Sequence, residues 1–437
     1  MIIEFTVANY RSIHAPITLS LEATNQTENP QNIFEAGKYR LLRSAAIYGA
    51  NASGKSNVIR ALMFMRNFVL KSAAKLEPGE ATGVARFALH TRARQQPASF
   101  QLIFLLNGVR YRYGFELDEE CVHSEWLYRT VARETCLFLR EGQTFDVRAG
   151  IKKESAQIEQ KTRENALFLS TIAQFNGALA MEITQWFKQN LAGISGLQDE
   201  GYAGYTVGRF GDDETFRERV RELIRLADVG IQDLEVRESP FDSANIPDEV
   251  RDMLKSIAQK RGAEISELVM NEVQTLHPVY NANDEAVEQT TLDMDDESEG
   301  TQKFFHLLGP ILDTLETGKI LAVDELDARL HPLLTRAIVR MFNTPETNPH
   351  NAQLIFATHD AGLLGECLLR RDQIWFTEKN RLGATELYSL AEFKDERAES
   401  AFDTRYLSGR YGGIPFLSRL NSYLEKQFAE QTDGAHP

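Results

Sequence analysis

The sequence predicts an α/β fold in which helices pack against a parallel sheet, and three observations predict it. A glycine-rich segment, residues 49–56, lies between an apolar strand pattern and a helical pattern. Two short apolar runs, residues 320–324 and 353–358, are typical of buried parallel strands. A clear amphipathic helix, residues 301–317, precedes the first of these runs, so that strands and helices alternate.

The composition is that of an ordinary globular protein, with 437 residues, 43% of them apolar and 25% charged. The net charge of −15 argues against a chain coated for nonspecific nucleic-acid binding. No run of about 18 uncharged apolar residues occurs, so no membrane span is expected. Cys121, Cys136 and Cys367 lie far apart without metal-ligand spacing. We therefore expect a cytoplasmic protein with reduced thiols in its core.

The first half of the chain is predicted to be rich in strands, because alternating or continuous apolar runs recur between turn signals. Asparagine followed by glycine between two apolar runs is a strong hairpin signal. The predicted elements are strands at 2–8, 17–21 and 41–48, hairpins turning at Asn107-Gly108 and Glu141-Gly142, and helices at 58–72 and 166–194.

The stretch from 200 to 290 is less regular, and we predict that it is mostly helical. Asp212 or Asp213 is expected to cap a helix that ends near Ala227, and Pro247 to begin another that ends near Gly262. It contains no sustained heptads, so a long coiled-coil arm is not expected. This stretch is the best candidate for a partner surface.

Residues 49–56 match the full Walker A pattern, Gly-x4-Gly-Lys-Ser. The two glycines allow the tight turn that aims backbone N–H groups at a phosphate, and the following helix adds the positive end of its dipole. Lys55 is predicted to bind the outer phosphates, and the Ser56 hydroxyl to ligate Mg²⁺. A chance match occurs in about one or two chains per hundred of this length. The strand before and the helix after lower that chance, so the segment predicts ATP binding.

The apolar run that begins at Ile320 ends in two carboxylates, Asp324 and Glu325. Asp324 is placed to hold the magnesium shell, and Glu325 to orient and polarise the attacking water. Such a pair alone is a weak signal, since strands often end in acidic residues at the surface. Its position downstream of a Walker A match makes it specific.

Two polar motifs complete the pattern. Ser298 and Gly300 stand directly before the amphipathic helix, where a hydroxyl and backbone N–H groups can bind a γ-phosphate. Ser-x-Gly is common and usually only caps a helix, but here a single helix separates it from Asp324. The second apolar run ends in Thr358-His359, which in isolation would indicate only a surface histidine at a strand end. In this order of motifs it resembles the switch histidine of ABC-type ATPases, which implies that His359 contacts the γ-phosphate and senses its hydrolysis.

These motifs, in this order, resemble those of ABC-type ATPases, and the long gap between Gly49 and Ser298 is usual in the SMC, RecF and OLD branches. The chain more specifically resembles the RloA-like, OLD-related ATPases, which are often found in bacterial restriction and phage-defence loci. The segments that carry this resemblance are 5–12, 48–56, 165–170, 297–301, 323–332 and 405–416.

The resemblance implies an ABC-type P-loop ATPase head of the RecF, SMC and OLD kind, with a mostly helical insertion. The implied domains are an N-terminal part with a β-rich lobe (1–198), the insertion (199–290) and a C-terminal part (291–437). ATP and Mg²⁺ are the implied cofactors, held at sandwich interfaces of a homodimer or higher homo-oligomer. The predicted site residues are Glu325, Lys55 and His359 for catalysis, Gly49, Asn51, Gly54, Lys55, Ser56, Asn57, Ser298, Gly300 and the D-loop Asp327 for nucleotide, and Ser56 and Asp324 for metal.

OLD nucleases carry a Toprim domain after the ATPase, whereas few residues follow His359 here and no Asp-x-Asp motif occurs among them. We therefore expect a defence ATPase that controls a separate nuclease or toxin. The alternative is a RecF- or SMC-like DNA-binding ATPase of repair. A third reading, in which ATP only holds an assembly together, is disfavoured by Glu325. ABC-type ATPases also carry a glutamine in a segment called the Q-loop, and in this sequence Gln95, Gln96 and Gln101 are equally good candidates for it.

Overall fold

The computed structural model describes residues 1–198, 200–227, 230–240, 269–365, 368–393 and 401–414. The chain forms two compact units. The first comprises Met1–Gly193, Thr317–Glu325 and Val339–Pro437, and the second Ile194–Glu316 and Leu326–Ile338. Three predicted features lie outside the described residues: the helix 247–262, Cys367, and residues 415–416 of the segment 405–416.

The first unit contains a seven-stranded antiparallel sheet with the strand order β10-β9-β8-β7-β6-β1-β2. The predicted hairpin turn at Asn107-Gly108 is confirmed, and both residues have the positive φ angles, 51° and 76°, that such a turn requires. The turn at Glu141-Gly142 is confirmed as well. The strands are β1 Ile2–Ala8, β2 Ile17–Ser20, β6 Ala98–Leu106, β7 Val109–Leu117, β8 Val122–Thr130, β9 Glu134–Glu141 and β10 Thr144–Val147.

A second sheet of this unit has six strands in the order β11-β15-β16-β5-β17-β18. Strands β15, β16, β5 and β17 are parallel neighbours, and every residue of β5 and β16 is buried. Burial on both faces explains why these strands appear in the sequence as continuous apolar runs. The strands are β5 Ser44–Gly49, β11 Leu191–Ser195, β15 Ile320–Asp324, β16 Gln353–Ala357, β17 Ile374–Lys379 and β18 Thr385–Ser389, and a separate hairpin joins β3 Ile33–Ala36 to β4 Tyr39–Leu42.

One hydrophobic core joins the two large sheets around the helix Lys55–Lys71. Phe68 of this helix packs against Phe115 of β7, and Leu62 and Met65 are buried in the same core as Ile47 of β5. The helix therefore starts at the glycine-rich segment and is anchored along its length. The helices of the described residues are α1 Lys55–Lys71, α2 Phe168–Gln174, α3 Ala178–Asn190, α4 Glu200–Asp212, α5 Glu214–Leu226, α6 Glu299–Thr317, α7 Pro332–Asn343, α8 Gly362–Gly365 and α9 Phe402–Leu407.

The second unit contains strands in addition to the helices that the sequence predicts for the insertion. Asp213 does cap α5, and its carboxylate accepts a hydrogen bond from the backbone N–H of Phe216. However, the described residues also form a three-stranded antiparallel sheet of β12 Asp233–Pro240, β13 Val269–Tyr280 and β14 Ala286–Asp293. Every residue of β14 is exposed, so this strand lacks the apolar alternation by which a sequence usually reveals a half-buried strand.

The thiols also differ from the expectation. Cys121 and Cys136 are free and only partly buried, so neither is a core residue; Cys121 lies in the turn before β8 and Cys136 on β9. Among the helices of the described residues, none combines the length and the apolar character that crossing a membrane requires.

Candidate functional site

The glycine-rich segment forms a loop between β5 and α1, and its backbone requires glycine at two points. Gly49 and Gly54 have φ angles of 154° and 114°. A Cβ added to Gly54 would lie 2.1 Å from Thr385 Oγ1, and one added to Gly49 would lie 2.4 Å from Thr377 Oγ1. These are impossible contacts, so the loop tolerates no side chain at either position.

Lys55 lies in the first turn of α1 and is 5% exposed. Its ammonium group donates hydrogen bonds to the carbonyl oxygens of Gly49 at 2.8 Å and Ala50 at 3.2 Å. The charge is thus held over the loop. It faces a cavity of about 780 Å³. The cavity is lined by Asn51, Ala52, Gly54, Lys55, Ser56, Asn57, Arg60, Glu325 and His359.

The carboxyl ends of adjacent parallel strands bring distant parts of the chain to this cavity. β15 lies beside β16, and β16 beside β5. Glu325 follows β15, His359 follows β16, and the loop follows β5. Glu325 adopts φ 57°, a left-handed conformation that costs a non-glycine residue about 1–3 kcal/mol and is concentrated at functional sites.

Asp324 ends β15, and its Oδ1 atom is buried without a hydrogen-bond partner. An unsatisfied buried carboxylate oxygen is costly in a protein interior. Asp324 is not among the residues that line the cavity, but it directly precedes Glu325, which is. A carboxylate of this kind and the Ser56 hydroxyl are oxygen donors of the type that Mg²⁺ prefers. The residues present therefore fit the metal that the sequence predicts.

Hydroxyl groups that the sequence did not single out hold the loop from behind. Ser53 Oγ lies 2.6 Å from Thr377 Oγ1, and Thr385 Oγ1 donates to the carbonyl of Ser53 at 2.7 Å. Asn57 Nδ2 donates to Ser12 Oγ at 2.7 Å, and Ser12 Oγ lies 2.8 Å from Thr385 Oγ1. Asn57 thus lines the cavity while also fixing the scaffold, and strands β17 and β18 supply the two threonines.

The tail segment, residues 401–414, approaches the loop from a second direction. An added Cβ on Gly413 would lie 3.4 Å from the Cα of Gly49. The Tyr406 hydroxyl donates to the carbonyl of Gly413 at 3.2 Å. Burial raises the pKa of Tyr406, and a backbone hydrogen bond from Gly49 opposes this shift. The tail, which the sequence singled out only for its resemblance, therefore packs on the first glycine of the loop.

Two further comparisons with the sequence concern single side chains. Arg60 lines the cavity and was missed, although its position four residues after Ser56 places it on the same face of α1. None of the described Q-loop candidates lines the cavity. Gln101 instead accepts hydrogen bonds from Arg112 and Trp126 within the antiparallel sheet.

The Ser298 motif lies in the second unit and begins α6. Ser298 Oγ accepts a hydrogen bond from the backbone N–H of Thr301 at 3.2 Å, so Ser298 caps the helix. Gly300 abuts the loop that contains Asp327 and Arg329, since an added Cβ would lie 3.0 Å from the carbonyl oxygen of Arg329. Arg329 itself has φ 61°. Asp327 closes the same loop through its carbonyl, which accepts from the N–H of Leu330.

A phosphate-binding loop between a parallel strand and a helix, with an acidic pair at the end of a neighbouring parallel strand, defines a mixed α/β P-loop ATPase fold. The chain belongs to the family described as "AAA domain, putative AbiEii toxin, Type IV TA system", whose model matches residues 44–365. This family implies nucleotide binding and the usual companion Mg²⁺. No curated protein matches the chain.

Three solved structures are similar to the chain at low identity. The "SmcHead bound to the C-winged helix domain of ScpA" has 13% identity and a TM-score of 0.37, covering 89% of this chain and 97% of that one. The cbiO1 part of the ABC transporter complex cbiONQ from Clostridium perfringens has 11% identity and a TM-score of 0.30, covering 97% of this chain and 100% of that one. RecF-ATP, the recombination mediator of the RecFOR pathway, has 12% identity and a TM-score of 0.31, covering 89% of this chain and 99% of that one.

Proposed function

We propose that the protein hydrolyses ATP with Mg²⁺ at this cavity, and that two copies complete the site. The observation that carries the proposal is the convergence of Lys55, Ser56, Glu325 and His359 on one cavity of about 780 Å³. A cavity that bound a nucleotide without hydrolysing it would need no more than the glycine-rich loop and the lysine. The addition of a carboxylate and an imidazole supports hydrolysis.

Each residue of the cavity has a role that its chemistry supports. Lys55 binds the outer phosphates, exchanging loop carbonyls for phosphate oxygens as hydrogen-bond acceptors. Ser56 and Asp324 would hold Mg²⁺, which would supply positive charge to neutralise the phosphates. Glu325 orients the attacking water and accepts its proton. His359 contacts the terminal phosphate and reports its loss.

The second copy supplies Ser298, Gly300 and Asp327. We propose that the N-terminus of α6 meets the phosphates held by the other copy, because the helix dipole and the N–H groups of a first helical turn favour an anion there. In this assembly hydrolysis loosens the interface, which gives a mechanical output.

We further propose that this output controls a separate effector, a nuclease or a toxin, in defence against phage. A resemblance in the sequence and the family description support it. The chain resembles RloA-like, OLD-related ATPases over most of its length, and the description of its family names a putative toxin of a toxin–antitoxin system. The stretch 199–290 is the proposed partner surface, and the proposed head parts are 1–198 and 291–437.

Glu325→Gln tests the hydrolysis proposal. The variant keeps the shape and hydrogen-bonding capacity of the side chain but cannot accept a proton, so we expect the ATPase rate to fall by about 10²–10⁴-fold with ATP affinity retained. Glu35→Gln, at an exposed position on β3, is the matched control and should leave the rate unchanged. A Glu325→Gln protein with the normal rate would overturn the role of Glu325.

Ser298→Asp tests the second-copy proposal. Aspartate caps helices as well as serine does, so α6 should stay folded. Its charge would repel a phosphate, and we expect the ATPase rate to fall by about 100-fold. The specific ATPase rate of the wild type should rise with protein concentration. A normal rate in Ser298→Asp would show that Ser298 only caps the helix and does not contact a phosphate.

Duplex DNA added to the same assay separates the alternative function. We expect no salt-sensitive stimulation of the ATPase by DNA if the output is a protein effector. Stimulation that fades as salt rises would favour the RecF- or SMC-like DNA-binding ATPase instead.

A further inference from the structure

Three side chains of different chemistry meet at the turn between β7 and β8, far in sequence from every motif discussed so far. They are Asp118, Cys121 and His123, and one ligand atom from each lies within 4.8 Å of the others. His123 Nε2 is 2.8 Å from Asp118 Oδ2 and 3.9 Å from Cys121 Sγ. None of the three lines the cavity at the glycine-rich loop.

The backbone of the turn orients the carboxylate. Asp118 Oδ1 accepts hydrogen bonds from the N–H groups of Glu120 at 2.9 Å and Cys121 at 3.0 Å. Those bonds occupy one oxygen and leave Oδ2 facing the imidazole. A carboxylate held in this way is a preorganised ligand, since outer hydrogen bonds commonly fix the direction of metal-binding side chains.

The turn itself is held in place. Asp118 N–H donates to the carbonyl of Cys121 at 3.0 Å, which closes the turn, and His123 follows on β8. Thr82 Oγ1 donates to the carbonyl of Asp118 at 2.6 Å, so a second segment of the chain supports the same residue. The three ligand atoms therefore need little rearrangement to converge on one point.

We propose that Asp118, Cys121 and His123 bind a zinc ion. A thiolate, an imidazole and a carboxylate together are the mixed sulfur, nitrogen and oxygen donors typical of Zn²⁺, whereas Mg²⁺ and Ca²⁺ take oxygen alone. Tetrahedral bonds of about 2.0–2.3 Å place neighbouring donors roughly 3.3–3.8 Å apart. The N–O distance of 2.8 Å is below that range and the N–S distance of 3.9 Å is just above it, so binding requires shifts of about half an ångström or less in these two pairs.

Solvent supplies the fourth ligand. The side chains of His123 and Asp118 are 43% and 21% exposed, so water reaches the point at which the three donors converge. The other charged groups near the thiol include Glu120 and Glu164, and their negative potential favours a dication, against the opposing charge of Arg140. A zinc ion would clamp the β7–β8 turn, and the site is independent of the proposed ATPase activity.

The sequence contains a signal for this site, Asp-x-x-Cys-x-His, that a search for spacings between cysteines does not find. The plain alternative is an Asp118–His123 ion pair beside an uninvolved thiol. In that case no metal is needed, and Cys121 is dispensable.

The test uses the full chain, free of any polyhistidine tag, stripped with a chelator and dialysed before Co²⁺ or Zn²⁺ is added. We expect one equivalent of Zn²⁺ to bind and to raise the melting temperature. Co²⁺ should produce a thiolate-to-cobalt charge-transfer band. Cys121→Ser should abolish this band, and His123→Ala should weaken Zn²⁺ binding by at least tenfold.

Cys136→Ser is the matched control, because Cys136 is also free and partly exposed but lies outside the cluster. It should keep both the band and the rise in melting temperature. No charge-transfer band in the wild type, or a band that survives Cys121→Ser, would overturn the proposal. The readout contains no nucleotide, so a failure here would leave the proposed ATPase untouched.

Discussion

The two phosphate-binding regions proposed for this protein are built differently. The loop at residues 49–56 is enclosed, with Thr377 and Thr385 behind it and the tail segment against Gly49. The Ser298 motif is held mainly by its own helix cap, and the carbonyl oxygen of Arg329 lies close to Gly300.

This difference indicates where each region obtains its shape. The loop owes its conformation to distant strands, because a side chain on Gly49 or Gly54 would strike β17 or β18. The Ser298 motif owes its conformation to the capping of its own helix and to one contact with a neighbouring strand. Glu297 Oε1 accepts hydrogen bonds from Thr275 Oγ1 at 2.6 Å and lies 2.7 Å from His277 Nε2, both on β13. We expect changes in the first region to affect ATP affinity and changes in the second to affect turnover.

The largest effect should come from Gly54→Ala. The new Cβ would lie 2.1 Å from Thr385 Oγ1 in a backbone conformation that alanine avoids, so the loop must move. We expect ATP affinity, measured by calorimetry, to fall by at least about 100-fold, or about 2.7 kcal/mol. Gly79→Ala is the control, since Gly79 shares a positive φ but has no neighbour within 4 Å. Equal losses in both variants would mean that the enclosure is unimportant.

A smaller effect is expected from Gly412→Ala in the tail segment. The added Cβ would lie 2.4 Å from Glu378 Oε2 and 2.6 Å from the Tyr388 hydroxyl, so the tail segment must move from its position. We expect the KM for ATP to rise by about tenfold, equivalent to about 1.4 kcal/mol, with a smaller change in kcat. Gly37→Ala, at an open position of similar φ, should leave KM unchanged. An unchanged KM in Gly412→Ala would show that the tail does not support the loop.

The smallest effect should come from Thr275→Val, which removes the hydroxyl that holds Glu297 while keeping the side-chain shape. Thr275 is fully buried, and the loss of this charge-assisted hydrogen bond lowers the free energy of unfolding by about 1.5–3 kcal/mol at most, of which only a part acts on the Ser298 motif. We expect the ATPase rate to fall by a few fold, with ATP affinity unaltered. Thr290→Val, at an exposed position of β14, is the control for the loss of a hydroxyl group as such. A drop in affinity instead would contradict the division between the two regions.

Local patterns predicted much of the fold correctly. The apolar runs became β5, β15 and β16, and the helical spacing after the loop became α1. The exposed strand β14 was missed because polar residues on both faces leave no periodic signal. The partly exposed positions of Cys121 and Cys136 also differed, since an apolar side chain type does not by itself decide which surface it faces.

The sequence by itself determined where the phosphate loop lies and which residues follow each buried strand, because glycine φ angles, strand apolarity and helix capping are local properties. Only the tertiary structure decided that Ser12, Thr377, Thr385 and the tail segment hold that loop. It also decided that Arg60 shares a cavity with Glu325 and His359. Such neighbours are set by the order of parallel strands in the sheet, which brings together residues that are hundreds of positions apart along the chain.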